Sequence, residues 1–188
     1  MITFGFYLLS GGKNYLIILH AMAIGGWDMK YKVEGSIDLT FENIRNIRLG
    51  SGKSFFVYKE NEPVLSVEIN TPICFYDAII YYDYLVIGNY HEGIYCINLN
   101  NSETKNIKVN GYFGRFEIYQ GVLYVLGCED VMAFNHNLDL LWKSDILAVD
   151  GVLCNGIEKD TMSLSCEMDP PGGWVDKKIS LLDGRVMG

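Results

Sequence analysis

The chain has 188 residues and a mass of 21.3 kDa, with 49% hydrophobic and 20% charged residues. This size favours one domain with its own core, residues 1–188, and the composition excludes a disordered chain. The formal net charge of −8 argues against nucleic-acid binding, because it repels phosphate backbones, and it favours a basic protein partner.

The first 70 residues predict irregular hairpins. Apolar runs at 1–9 and 15–24 flank a polar turn, and neither reaches the roughly 20 residues of a membrane span, so we expect a hairpin, with no signal peptide and no membrane segment. Residues 41–49 are compatible with a strand or a short helix. A second hairpin is indicated at 54–58 and 64–69, around the turn 60–63.

The rest of the chain repeats itself. A turn followed by a short apolar strand ends at Gly88, Gly127 and Cys166, with 39 residues between successive members, and a further strand follows each. The repeats span about 72–108, 111–147 and 148–188. This spacing is typical of β-propeller blades, so we predict an all-β, propeller-like array of short antiparallel blades of about 40 residues. A meandering β-sandwich would give similar spacing and remains the alternative.

The sequence offers no recognisable catalytic or metal-binding motif. Gly50–Ser54 lacks the first glycine of a P-loop and precedes a strand, and three scattered histidines form no metal-ligand spacing. The five cysteines show no C-x-x-C spacing and lie in or beside apolar runs, as buried free thiols of a reducing compartment would. We therefore expect a cytoplasmic protein that is not an enzyme, with no cofactor and no metal.

The last repeat contains an enlarged turn, residues 167–176, where Pro-Pro and Gly-Gly surround acidic residues and Trp174. Trp174 either packs back onto the sheet or is presented to a partner, because aromatic anchors with fixed charges contribute strongly to binding. Acidic excess is greater in residues 95–188 (8 basic, 13 acidic) than in 1–94 (7 basic, 10 acidic). The candidate partner-binding residues are Glu129, Asp130, Glu167, Asp169, Trp174 and Asp176.

The pattern W-K-S…L-A-V-D-G-V…D-P-P-G-G-W, from Trp142 to Trp174, resembles small bacterial proteins encoded beside polymorphic toxins. Some of these are presumed immunity proteins of contact-dependent growth inhibition systems. The resemblance covers about the last 50 residues and implies a fold relationship and a toxin-binding role.

Two functions follow as expectations. The first is an immunity protein that covers the active site of a cognate toxin domain, a basic nuclease, through its acidic loops. Charge reversal at Glu129 and Asp130 should then weaken toxin capture. The alternative is a propeller-like interaction or scaffold module without a toxin partner. The sequence leaves the oligomeric state open.

Overall fold

The computed structural model describes residues 17–19, 31–36, 41–72 and 74–187. These residues form sixteen strands in four small sheets, and no helix occurs among them. The first sheet contains β1 (Ile17–Leu19), β2 (Tyr31–Ser36), β3 (Arg45–Arg48), β4 (Gly52–Lys59) and β5 (Glu62–Asn70). The second contains β6 (Tyr76–Tyr81), β7 (Tyr84–Asn89), β8 (Gly93–Asn98) and β9 (Thr104–Ile107). The third contains β10 (Phe113–Tyr119), β11 (Val122–Gly127), β12 (Val131–Phe134) and β13 (Leu140–Lys143). The fourth contains β14 (Val152–Glu158), β15 (Thr161–Asp169) and β16 (Gly173–Ser180). The all-β prediction is confirmed, and none of the four sheets closes on itself.

The second, third and fourth sheets are antiparallel meanders in which each strand pairs with the next in sequence. Their first hairpins turn at Tyr82, Gln120 and Lys159, each with φ close to +50°. A positive φ at this position lets a two-residue turn match the twist of the strands it joins. Tyr82 and Gln120 are 38 positions apart, and Gln120 and Lys159 are 39 apart. The sequence predicts a spacing of 39 for both pairs of repeats, so the first pair is one residue closer than predicted.

The first sheet has the mixed order β1-β2-β4-β5-β3. The hairpin expected at 54–69 is present as β4 and β5, and its turn residues Glu60 and Asn61 have φ of 52° and 72°. The ambiguous segment 41–49 contains a strand, β3, which pairs in parallel with β5. The hairpin predicted for 1–24 lies outside the described residues, except for β1.

Three apolar clusters hold successive sheets together. Phe55 and Leu65 of the first sheet pack with Leu85 of the second. The second cluster joins the second sheet to the third, and the third cluster joins the third sheet to the fourth. Within the described part of the chain, no such cluster joins the fourth sheet to the first.

Hydrophobic patterning explains this layering. The run 122–126 of β11 is apolar throughout, and alternate residues enter different clusters: Leu123 and Val125 face the second sheet, whereas Tyr124 and Leu126 face the fourth. A strand covered on both faces has no need of polar residues. The segment 162–166 of β15 instead alternates apolar and polar residues, and only its apolar side is buried. The fourth sheet therefore keeps one polar face.

Side-chain donors also connect neighbouring sheets at equivalent places. Arg45 donates to the Leu99 carbonyl (2.9 Å), the Tyr81 hydroxyl lies 3.2 Å from the Phe134 carbonyl, and Trp142 Nε1 donates to the Leu181 carbonyl (2.8 Å). Each acceptor lies at or just after the end of the third strand in the second, third or fourth sheet.

The cysteines form no disulfide among the described residues. Cys96, Cys128 and Cys166 are buried and Cys154 is half-buried, as expected, but Cys74 is exposed in the segment before β6. No helix in the described ranges has the length and apolar character needed to cross a bilayer.

Candidate functional site

The predicted enlarged turn at 167–176 is wrong in its bounds, because β15 continues to Asp169 and β16 begins at Gly173, so that only residues 170–172 form the turn. The segment 147–151 joins this β15–β16 hairpin to the β11–β12 turn, and the two together contain most of the predicted contact residues. Leu147 N donates to the Glu129 carbonyl (2.7 Å), and Gly151 N donates to the Cys128 carbonyl (2.8 Å). At the fourth sheet, Glu167 N donates to the Gly151 carbonyl (3.0 Å). The β11–β12 turn and the β15–β16 hairpin therefore lie at the same end of their sheets, where the carbonyls of Glu129 and Glu167 both accept hydrogen bonds from the segment 147–150.

Asp130 is the exception among the predicted contacts. Its side chain is 1% exposed, and its Oδ2 lies 3.0 Å from Lys143 Nζ. Burial raises the pKa of Asp130, and the neighbouring ammonium of Lys143 opposes that shift. An acidic residue in a tight turn normally faces water, so this inward orientation was not predictable from the local sequence. Asp130 is therefore half of a buried ion pair with Lys143 and is not part of the surface.

Glu167 and Trp174 lie side by side as cross-strand partners at the end of the fourth sheet. Glu167 Oε1 accepts a hydrogen bond from Gly172 N (2.6 Å), which fixes the carboxylate. Trp174 keeps 44% of its surface exposed. A Cβ placed on Gly151 would lie 3.5 Å from Trp174 Cη2 and 4.0 Å from Glu167 Oε2, so the indole and the carboxylate both lie against this glycine. Trp174 thus packs along one side and remains accessible.

The other two predicted residues occupy different positions. Asp169 is exposed at the tip of the β15–β16 hairpin, paired with Gly173. Asp176 follows Trp174 on the polar face of the fourth sheet, where it accepts a hydrogen bond from Ser165 Oγ (2.8 Å). It also lines an open groove on that face, so Asp176 lies beside the hairpin end and not within it.

Three aromatic residues that were not among the predicted contacts extend this end of the molecule. Tyr112 stacks on Tyr90 with ring centroids 4.6 Å apart, and Phe75 stacks on Tyr112 at 5.9 Å. Phe75 is 55% exposed. Phe75, Tyr112 and Gly151 each immediately precede the first strand of their sheet, so aligning the repeats would have shown that these positions share one end.

Tyr112 connects the aromatic stack to the fourth sheet. Its hydroxyl donates to the Asp150 carbonyl (3.2 Å) and would lie 3.5 Å from a Cβ on Gly151. Burial and the neighbouring Asp150 raise the pKa of Tyr112 above its ordinary value.

We define the aromatic–acidic surface by the residues that meet at this end: Phe75, Tyr90, Tyr112, Trp174, Glu129, Asp150 and Glu167. Two neighbouring lysines are already engaged, Lys143 with Asp130 and Lys177 with the Leu147 carbonyl (2.5 Å). The surface therefore combines flat aromatic faces with carboxylates. Within the described residues, no group of three or more His, Cys, Asp or Glu side chains could hold a metal ion.

Comparison with known proteins identifies no relative that helps to interpret the aromatic–acidic surface. No family model matches the chain, and no curated protein matches it. Among 47 matching chains of solved structures is the crystal structure of the computationally designed Ika4 protein. The two share 8% identity over 59% of this chain and 68% of that chain, with a TM-score of 0.46, a likeness too weak to support an argument.

Proposed function

We propose that this chain is an immunity protein, which binds a cognate bacterial toxin domain in the cytoplasm and blocks its active site. The observation that supports this proposal is the aromatic–acidic surface, where Trp174 lies beside the fixed carboxylate of Glu167. Partly exposed aromatic side chains provide large contact areas, and they are enriched where binding energy concentrates. The sequence resemblance to proteins encoded beside polymorphic toxins supports the same role.

A basic nuclease is the toxin class that fits best. Such an enzyme binds phosphate through a positively charged cleft, and an inhibitor with a formal net charge of −8 is attracted towards that cleft over long distances. Carboxylates at the contact would occupy the positions of substrate phosphates. In this proposal the chain itself has no catalytic residues and needs no cofactor.

We further propose that the four sheets are successive blades of a propeller-like array. In support of this, each apolar cluster lies between consecutive sheets, and side-chain donors join neighbouring sheets at equivalent places. A meandering sandwich remains the alternative arrangement. Chemical cross-links between the first and fourth sheets would favour a ring, and their absence in a chain that cross-links within every other pair of sheets would favour the sandwich.

The test of function is affinity capture from the native cytoplasm and from a lysate containing toxins of neighbouring strains, followed by a nuclease assay. We expect one basic partner whose release requires high salt and whose nuclease activity the chain abolishes. A partner without toxicity, or a set of unrelated partners, would favour the second candidate, a scaffold module that uses the same surface.

Matched charge reversals locate the contact. Glu129→Lys changes the aromatic–acidic surface, whereas Glu158→Lys makes the same change at the opposite end of the fourth sheet, where Glu158 is exposed. We expect at least tenfold weaker capture for Glu129→Lys, a loss of about 1.4 kcal/mol or more, and no change for Glu158→Lys. Equal losses in both variants would mean that net charge, and not this surface, governs binding.

A further inference from the structure

The strongest local feature of the aromatic–acidic surface is the row formed by Gly151, Glu167 and Trp174 at the end of the fourth sheet. We propose that this row, together with Tyr112, is a binding site for an arginine side chain of the protein partner. The inference rests on the proposed function, since it names the chemical group that the surface recognises.

Gly151 adjoins all three side chains of the proposed site. It has φ of +135°, a conformation that L side chains rarely adopt. Trp174 Cη2 and the Tyr112 hydroxyl oxygen each lie 3.5 Å from the position that a Cβ of residue 151 would occupy, which is ordinary van der Waals contact. The edge of the Trp174 indole, at Cη2, and the Tyr112 hydroxyl oxygen therefore meet at one point of the backbone.

Glu167 supplies a carboxylate in a fixed orientation. Its Oε1 accepts the hydrogen bond from Gly172 N, while Oε2 lies 4.0 Å from the Gly151 Cβ position and accepts no hydrogen bond from a described residue. Asp150 lies nearby, where its carbonyl accepts the hydroxyl proton of Tyr112. With that proton committed, the Tyr112 oxygen presents its lone pairs as acceptors.

This combination suits arginine better than lysine. A guanidinium group is planar, so it can stack on an indole face while its N–H groups donate to a carboxylate at the ring edge. A lysine ammonium is a compact, strongly hydrated charge that loses more hydration and gains no stacking contact. Arginine is also abundant on protein surfaces that bind phosphate, and the proposed partner, a basic nuclease, has such a surface.

The experiment uses the full chain with ¹⁵N-labelled tryptophan and follows the indole N–H signals by NMR. The probes are N-acetyl-argininamide, N-acetyl-lysinamide and N-acetyl-citrullinamide, the last being a neutral planar analogue of arginine. We expect the arginine probe to shift the Trp174 signal with saturation at millimolar concentration, and the other two to bind at least fivefold more weakly. Trp142, whose Nε1 donates to the Leu181 carbonyl, provides an internal signal that should not move.

Glu167→Gln tests the carboxylate, and Glu158→Gln is the control at the far end of the same sheet. We expect Glu167→Gln to weaken the arginine probe at least fivefold and Glu158→Gln to leave it unchanged, with unaltered Trp142 signals showing that both variants fold. Equal binding of arginine and citrulline probes, or equal effects of the two substitutions, would overturn the inference.

The outcomes separate this inference from the proposed function. Selective binding of the arginine probe at Trp174, without any captured toxin, would keep the site and reject the immunity role. Capture and neutralisation of a toxin that is sensitive to Glu129→Lys, without a Trp174 shift, would keep the role and reject the arginine site.

Discussion

Gly88 in β7 shows how a single missing side chain determines the packing between two sheets. Phe113 of the third sheet is fully buried, and its ring lies on the Gly88 backbone. A Cβ at position 88 would lie 2.2 Å from Phe113 Cζ, so the ring would have to move within a packed core. We expect Gly88→Ala to lower the free energy of unfolding by about 1–3 kcal/mol, measured by urea denaturation.

Gly156 in β14 is the matched control. Nothing lies within 4 Å of its Cβ position, and its φ is not in the left-handed region. Gly156→Ala should be neutral or stabilise the protein by up to about 1 kcal/mol, because alanine restricts the unfolded chain. Similar losses in the two variants would show that the Phe113 contact is not the cause.

Asp77 on β6 makes stability depend on pH. Burial raises the pKa of Asp77 from 3.8 to about 6, against the opposing hydrogen bond from Ala78 N and the charge of Arg115. The folded protein therefore binds more protons than the unfolded chain between these pH values, so stability falls as pH rises through this window. Each pKa unit corresponds to about 1.4 kcal/mol, which gives a loss of about 3 kcal/mol above pH 6.

Asp77→Asn should remove this loss, because an amide does not ionise. The amide oxygen can still accept the hydrogen bond from Ala78 N, which lies 2.8 Å from Oδ1 of Asp77. Relative to the original chain, we expect the variant to gain about 2–3 kcal/mol between pH 4 and pH 7.5, measured by chemical denaturation at both pH values. Asp83→Asn alters an exposed carboxylate in the adjacent turn and should show no such gain. A gain of the same size at Asp83 would refute the role of burial.

At the scale of elements, Tyr81 at the end of β6 joins the second sheet to the third. Its hydroxyl donates towards the Gly121 carbonyl (2.8 Å) and lies 3.2 Å from the Phe134 carbonyl, and burial raises the pKa of Tyr81 to about 12. Tyr81→Phe keeps the ring but leaves buried carbonyl groups without this donor. We expect a loss of about 1–3 kcal/mol in the free energy of unfolding.

Tyr84 at the start of β7 provides the comparison, since its hydroxyl makes no hydrogen bond to a described residue and its ring is only half-buried. Tyr84→Phe should change the free energy of unfolding by less than about 0.5 kcal/mol. If Tyr81→Phe changes the free energy of unfolding as little as Tyr84→Phe, the contact between the two sheets depends on apolar packing alone.

The strands were predictable from sequence because their information is local. Turn residues and apolar runs indicate most strands from β6 to β16, but not β9, whose sequence is mostly polar, and the alternation in β15 indicates one polar face. The parallel pairing of β3 with β5 was not predictable, because it brings together residues about 20 positions apart without a hairpin signal. The aromatic–acidic surface forms at the ends of strands, where residues from different sheets meet.

For that reason the surface was only partly predictable. Glu167 and Trp174 stand out beside the Pro-Pro and Gly-Gly pairs of segment 167–176, which is a local signal, although both residues lie on paired strands and not in an enlarged turn. The stack of Phe75, Tyr90 and Tyr112 depends on how separate sheets are placed, and each residue alone reads as an ordinary strand flank. Asp130 is the opposite case, because a local turn signal suggested an exposed side chain, whereas the carboxylate is buried against Lys143 of β13.

At the scale of the whole molecule, the apolar clusters couple all four sheets. The third sheet contributes Leu123 to one cluster and Leu126 to the next, so neither cluster is intact unless this sheet is folded. The second sheet is shared in the same way, with Leu85 and Val86 on opposite faces. We therefore expect the described part of the chain to unfold as one cooperative unit.

Leu164→Ala in the fourth sheet tests this coupling. Leu164 is fully buried, so its truncation should lower the free energy of unfolding by about 2–5 kcal/mol. Cooperative unfolding predicts that amide hydrogen exchange loses the same protection at Val86, Val125 and Met162, which lie in three different sheets. Leu141→Ala, at a side chain that is 51% exposed, should leave all three unchanged within about 0.5 kcal/mol. Loss of protection confined to β14–β16 would instead show that the fourth sheet unfolds alone. Because Trp174 and Glu167 belong to that sheet, the aromatic–acidic surface would then be the least stable part of the fold.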